Sequence, residues 1–391
     1  MDNPGSPVRG ISRNVFILGI TSFLTDLSSE VVYPLVPLFL TSVLGAPFAV
    51  VGLIEGIAES TACVLKVFSG WLSDRSGRRR PLTILGYGIS AIAKPLLAAA
   101  TGWPLVLALR FGDRLGKGIR VAPRDALIAD SSEPASRGRV FGFHRAADTA
   151  GAALGALMAL AALGLIGERY RTIFLISAIP GALGVASLFF IRERTRPHGH
   201  ALPPRLSLSG FDRRFKLFLL ASAIFAVGNS SDTFLILRAK DLGLSAFGAV
   251  LAYVIFNLVY SAFSMPAGSL SDRIGRRRII AAGFVVFSLV YLGFALTGAS
   301  AAVWPLFAVY GIYMAMTEGI GKAFAADMAP PHARGTALGT YGTVIGLLTF
   351  FSSLIAGLLW DAVGPRAPFF FGAVSGLAAT LVLLLALRER Q

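Results

Sequence analysis

The sequence predicts an all-α membrane protein, with twelve transmembrane helices in two pseudo-symmetric six-helix bundles. Three observations carry that reading. First, the chain has 391 residues, 55% of them hydrophobic and only 15% charged, with a mean hydropathy of +0.70. That is too apolar for a soluble protein of this size, and it is long enough for about twelve spans of ~20 residues plus loops. Second, one basic turn occurs twice. Gly70-Trp71-Leu72-Ser73-Asp74-Arg75-Ser76-Gly77-Arg78-Arg79-Arg80 and Gly268-Ser269-Leu270-Ser271-Asp272-Arg273-Ile274-Gly275-Arg276-Arg277-Arg278 share G-x-L-S-D-R-x-G-R-R-R at a separation of 198 residues. Third, basic residues concentrate in alternate loops.

The apolar runs place spans at 14–40, 47–72, 81–101, 103–130, 137–164, 172–191, 214–241, 245–270, 277–298, 302–328, 334–361 and 366–388. The polar stretch Met1 to Arg13 lacks a small-residue cleavage site, so the first run is expected to be a retained helix. Loops after the even-numbered spans, with both termini, hold roughly 23 Lys and Arg against about 4 on the other side (Arg169, Arg171, Lys240, Arg366), which puts both termini in the cytoplasm. The net charge of +15 is therefore read as membrane orientation, with no nucleic-acid partner. One cysteine, Cys63, excludes an intrachain disulfide.

The basic, Pro- and His-containing stretch 192–213 separates expected halves at 1–191 and 214–391. The halves share two further anchors. Ala129-Asp130 with Arg137-Gly138 recurs as Ala326-Asp327 with Arg334-Gly335, and Ser28-Ser29-Glu30 recurs as Ser230-Ser231-Asp232. An ordered set at nearly one offset argues a duplicated unit. Six spans per unit makes the copies parallel, with a site expected between them.

The repeated turn resembles the signature loop between helices 2 and 3 of the major facilitator superfamily, with its echo between helices 8 and 9. The resemblance implies transport by alternating access. It also implies a latch, in which Asp74, Arg75 and Arg78 engage Asp130, and Asp272 and Arg273 engage Asp327. Span 4 is loosely similar to the superfamily's antiporter signature, but departs from it where Asp113 and Arg114 stand in place of Gln and Gly.

Charges inside the spans point to the site, because an ionisable group in hydrocarbon needs a cavity or a partner. Asp26 and Glu30, four apart on one face of span 1, suit proton coupling. Glu59 lies deep in span 2. Span 4 carries Arg110, Asp113 and Arg114 near mid-membrane, expected to line the cavity, and then Lys117, Arg120 and Arg124, expected to serve a cytoplasmic gate. Span 5 carries His144, Arg145 and Asp148, with Asp148 within reach of the other two. Asp232 stands opposite span 1 by the repeat. Glu318 and Lys322 form an i, i+4 pair. Arg238 and Lys240 are expected near the outer surface.

No phosphate loop, nucleophile elbow or paired metal-ligand motif occurs, so neither enzyme activity, a cofactor nor a bound metal is expected. The reading is a monomeric secondary transporter in the cytoplasmic (inner) membrane. It moves a small polar or ionic solute, with proton-coupled export (antiport) as the leading mode. The rivals are a proton symporter or uniporter for an organic anion, favoured if arginines outnumber carboxylates in the cavity, and a divalent-metal or siderophore exporter, favoured if Asp26, Glu30 and His144 converge. A non-transporting scaffold has no need of buried charges.

Overall fold

A computed structural model describes residues 11–76, 78–132, 137–193, 211–329 and 334–386. Every regular element in them is helical: α1 (Arg13–Val32), α2 (Val36–Ser42), α3 (Phe48–Ser76), α4 (Arg79–Leu96), α5 (Trp103–Asp130), α6 (Arg137–Ile166), α7 (Tyr170–Ile176), α8 (Ala178–Leu188), α9 (Arg213–Gly228), α10 (Thr233–Asp241), α11 (Ala246–Ile274), α12 (Arg276–Leu296), α13 (Val303–Asp327), α14 (Arg334–Ala362) and α15 (Ala367–Ala386). Helices satisfy their own backbone groups, as a lipid-embedded chain requires.

Among the described residues, eleven helical segments are long and apolar enough to cross a membrane. The remaining expected span is α5, one unbroken helix of 28 residues. Seven charged residues between Arg110 and Asp125 interrupt its apolar run.

Three spans are not the single helices expected. Span 1 tightens at Tyr33–Leu35, where Pro34 enters between α1 and α2. Span 6 divides at Ser177 into α7 and α8. Span 7 breaks at 229–232 between α9 and α10, in a run of Asn, Ser and Asp whose side chains compete for backbone hydrogen bonds. There the Ser231 hydroxyl accepts from the Thr233 amide at 3.4 Å.

Contacts divide the chain into two units. One comprises Met1–Leu44 and Thr61–Pro204, the other Gly45–Ser60 and Arg205–Gln391. The division runs through α3, so the stretch Gly45–Ser60 groups with the later helices rather than with 1–191. Glycines explain the grouping. A Cβ on Gly56 would lie 2.8 Å from the Phe350 carbonyl oxygen, so only a bare backbone permits this approach. Asp361 adds a cap, accepting from the amides of Phe48 (3.1 Å) and Ala49 (2.7 Å) at the start of α3.

In the first unit α1 lies against α6, where a Cβ on Gly155 would sit 2.5 Å from the Leu27 carbonyl oxygen. Helices α4 and α5 meet at Gly86 and Gly116 in the same way. Small residues thus set close helix approach, Gly116 of α5 among them. The second unit has an aromatic core, with Phe225 stacked on Phe284 (ring centroids 4.1 Å apart) and Phe287 against Tyr291 (4.0 Å). In its basic turn Gly275 takes φ +97, a conformation that side chains rarely adopt; its counterpart Gly77 lies outside the described residues.

Candidate functional site

A cavity of about 100 Å3 opens within the first unit, between α1, α4 and α5. Span 1 contributes Asp26, Ser29, Glu30 and Tyr33, α4 contributes Lys94, and α5 contributes Arg110, Asp113, Arg114, Lys117 and Arg120. The α5 set recurs at intervals of three and four, which keeps it on one helix face. Lys94, Arg110, Asp113, Arg114 and Arg120 are all buried; Asp26 and Glu30 are half-buried, and Lys117 is exposed.

Each charge is held by a local device. The Arg110 guanidinium lies 3.8 Å from the Asp113 carboxylate. Both Arg110 and Arg114 lie over the ring of Tyr33, at 5.5 and 5.9 Å, within cation–π range. Arg120 lies 4.4 Å over Tyr87 and donates to Ser90 Oγ at 2.6 Å. Lys94 Nζ donates to Ser29 Oγ at 2.9 Å and to the Thr25 carbonyl at 3.4 Å.

A second polar cluster adjoins Asp26. The close approach of α6 to α1 brings the Asp148 carboxyl beside that of Asp26. Arg145 reaches Asp148 at 3.1 Å from an exposed position. His144 does not line the cavity; its Nε2 pairs with Ser22 Oγ at 2.8 Å. Arg124 pairs with its neighbour Asp125 at 2.8 Å.

Of the residues expected to form the site, the structure thus assembles Asp26, Glu30, Arg110, Asp113 and Arg114 around one cavity, with Arg145 and Asp148 behind Asp26. Lys117 and Arg120, expected at a gate, line the same cavity. Lys94 escaped the sequence reading, although a lysine inside an apolar span meets the same criterion as the other charges. Glu59 is half-buried in the stretch of α3 that groups with the second unit. Asp232, Glu318 and Lys322 belong to that second unit. Asp232 stands at the break before α10 and accepts from the Tyr310 hydroxyl at 2.7 Å. Glu318 and Lys322 pair at 2.5 Å on an exposed stretch of α13.

Arg79 and Arg276 of the two basic turns engage the acidic helix ends. Asp130 is held by Arg79, which also donates to the Ala126 carbonyl at 3.0 Å. Asp327 is held by Arg276 at 2.9 Å, and Arg276 reaches Asp272 at 3.3 Å. Arg75 instead lies over Trp71, at 5.4 Å. Arg78 and Arg273 are exposed. The side chain of Asp74 lies outside the described residues. At the start of α4, Glu193 accepts from the Arg79 and Arg80 amides at 2.5 and 3.1 Å. Arg238, in the last turn of α10, is buried. It donates to the carbonyls of Phe294 (3.1 Å) and Thr297 (3.0 Å) and pairs with Asp241.

Comparison with known proteins agrees with this architecture. The Major Facilitator Superfamily description matches residues 18–253 and 217–391. An uncharacterised MFS-type transporter of Methanocaldococcus jannaschii is 38% identical over 382 residues, covering 96% of this chain and 95% of the relative. A multidrug resistance protein, MdtH, of Photorhabdus laumondii is 24% identical, covering 97% and 96%. Among solved structures, a POT family transporter in complex with 5-aminolevulinic acid has a TM-score of 0.81 at 15% identity, covering 95% of this chain and 96% of its own. A D-xylose-proton symporter has 0.72 at 17%, covering 96% and 97%. The chain is thus a multi-pass membrane protein with the twelve-helix fold, and it belongs to the Major Facilitator Superfamily as an MFS-type transporter.

Proposed function

We propose that this chain moves a small ionic solute by alternating access, with protons as the coupling ion and the cavity between α1, α4 and α5 as its solute site. The carrying observation is the contact of Asp26 with Asp148 at the edge of that cavity. Two carboxyl groups side by side disfavour ionising together, so proton binding there responds when a nearby charge changes. Arriving solute is such a charge, so binding and protonation are linked. Glu30, on the same wall, is the second proton-binding group.

Export by antiport is the leading direction, supported by likeness to a multidrug resistance protein. The charge asymmetry of the loops favours the cytoplasmic membrane with both termini cytoplasmic, and the chain is proposed to work as a monomer. The basic turns act as a conformational latch through Asp130 and Asp327. A second reading, symport or uniport of an organic anion, gains support from the cavity itself, where five cations face three carboxylates. The metal-export reading gains no support from the cavity, whose lining holds Asp26 and Glu30 but not His144.

The test is internal pH in proteoliposomes as organic anions, sugars, metals and cationic drugs are added, with wild type beside Asp26→Asn. Solute-triggered proton movement that disappears in the variant supports coupling at Asp26, and its direction separates antiport from symport. Solute counterflow without proton movement overturns the coupling.

A further inference from the structure

Beside the cavity lies a buried junction built on one hydroxyl. Ser22 Oγ contacts His144 Nε2 at 2.8 Å, the Tyr87 hydroxyl at 3.2 Å and Arg124 Nη1 at 3.3 Å. It therefore joins α1 to α6, α4 and α5. A serine hydroxyl carries one donor and two acceptor positions, so three partners use its full capacity. Arg124 can only donate, which leaves the hydroxyl hydrogen and one acceptor position to be divided between His144 and Tyr87. The junction repeats the Asp26–Asp148 arrangement one turn away. Ser22 stands four residues before Asp26 on α1, and His144 four residues before Asp148 on α6. Each pair thus shares a helix face, with a rise of about 6 Å between its members. Ser22, Tyr87 and His144 are buried, and neither the cavity nor the carboxyl pair uses His144.

We propose that His144 is a further proton-binding residue of transport, and that its charge and the Arg124–Ser22 bond exclude each other. The inference rests on protons being the coupling ion. An imidazolium can only donate, so a charged His144 gives Ser22 two cationic donors, and like charges at that distance repel. The charged groups around the ring are divided. Asp148 on α6 and Asp125 on α5 favour a proton on it, whereas Arg145 on α6 and Arg124 on α5 oppose one. Tyr87 on α4 faces the ring through Ser22, and α1 adds Asp26 beside Asp148. Arg145 is drawn to Asp148 at 3.1 Å with its side chain 74% exposed, so water screens it. Arg124 is half-buried and shares the hydroxyl, which makes it the deciding cation. When the carboxyl pair ionises, the added negative charge one turn away favours the imidazolium. Arg124 then leaves Ser22 and keeps Asp125, which it already holds at 2.8 Å. Losing that bond removes a tie between α5 and α1 near the end where α1 and α6 begin, the end proposed to face the cytoplasm.

Thermal unfolding of the purified full-length chain in detergent tests the proposal without a gradient or a solute. It is followed from about pH 7.5 to about pH 5.5, across the ordinary imidazole value of about 6.5. His144→Gln keeps a side chain able to bond Ser22 but removes the charge. Acidification should lower the wild-type midpoint by a few degrees more than that of His144→Gln. Arg124→Gln, which removes the opposing cation, should abolish the excess. Contributions from the carboxyl pair and from His198, His200 and His332 are common to all three proteins and cancel in the comparison. Parallel profiles for wild type and His144→Gln overturn the inference, as does an excess that persists in Arg124→Gln. If His144→Gln folds poorly, wild type beside Arg124→Gln gives the same decision. In the proteoliposome assay His144→Gln should slow solute-triggered proton movement severalfold, and an unchanged rate also overturns the proposal. Absence of proton movement in the wild type overturns the coupling itself, whereas the unfolding profiles judge the exclusion between His144 and Arg124, so the two readings fail separately.

Discussion

Arg120 and Asp113, two turns apart on the cavity face of α5, are joined through Ser90. The serine hydroxyl accepts from Arg120 Nη1 at 2.6 Å and donates to the Asp113 carbonyl at 3.0 Å. One hydroxyl on α4 therefore fixes a cation and ties the two helices together where Gly86 and Gly116 let them touch. Ser90→Ala should release Arg120 and leave a buried charge with one partner fewer, at about 1–3 kcal/mol. The expected outcome is a lower thermal midpoint together with weaker solute binding. Unchanged binding in a destabilised variant would reduce Ser90 to a packing role.

Lys94 supplies the prediction that depends least on packing. Its ammonium is tied to Ser29 and to the Thr25 carbonyl of α1, and it lines the cavity opposite α5. Lys94→Gln keeps the length and a donor but removes the charge. Solute affinity should fall about tenfold or more, while the thermal midpoint changes little. The check is a binding isotherm beside an unfolding curve for the same preparation.

The latch prediction follows from which arginine holds which acid. Asp130 is held by Arg79, and Asp327 by Arg276, one motif position apart in the two copies. Exposed ion pairs contribute only about 0–1 kcal/mol, so Asp130→Asn should insert and fold normally. What changes is the balance between transport states, and the transport rate should fall severalfold with solute affinity kept. The exchanged pair Arg79→Asp with Asp130→Arg should recover part of the rate. A double variant as slow as its worse single parent would argue against the pair as a switch.

These residues also mark how far the sequence could be read. Twelve spans were legible because apolar runs of ~20 residues have few other uses. The duplication was legible because one turn recurs with its flanks. Asp26, Arg110, Asp113 and Arg114 were found because charge in an apolar run demands an explanation. Contacts between residues distant in sequence were not legible. Nothing near Asp26 in sequence says that Asp148, on α6, will meet it, since that depends on Gly151 and Gly155 letting two backbones approach. Among three successive arginines, spacing could not choose Arg79 for Asp130. Nor could hydropathy reveal the breaks at Tyr33 and at 229–232, because apolar residues continue on both sides.

Arg238 carries the last prediction, in which two partners of one side chain are separated by burial. The arginine is 3% exposed, whereas the side chain of its ionic partner Asp241 is 38% exposed. Water screens the carboxylate, so the ion pair contributes little. The two carbonyls are different. Phe294 and Thr297 lie at the end of α12, where the last carbonyls lack partners within their helix, and Arg238 satisfies both at about 3 Å. Arg238→Ala should therefore cost about 2–4 kcal/mol, as two hydrogen bonds from a buried cation are lost, whereas Asp241→Asn should cost less than about 1 kcal/mol. Arg238→Lys should fall between, since an ammonium on a flexible stem cannot span both carbonyls with a planar fork. Thermal unfolding of the three variants measures the order, and equal losses in Arg238→Ala and Asp241→Asn would place the stabilisation in the ion pair instead.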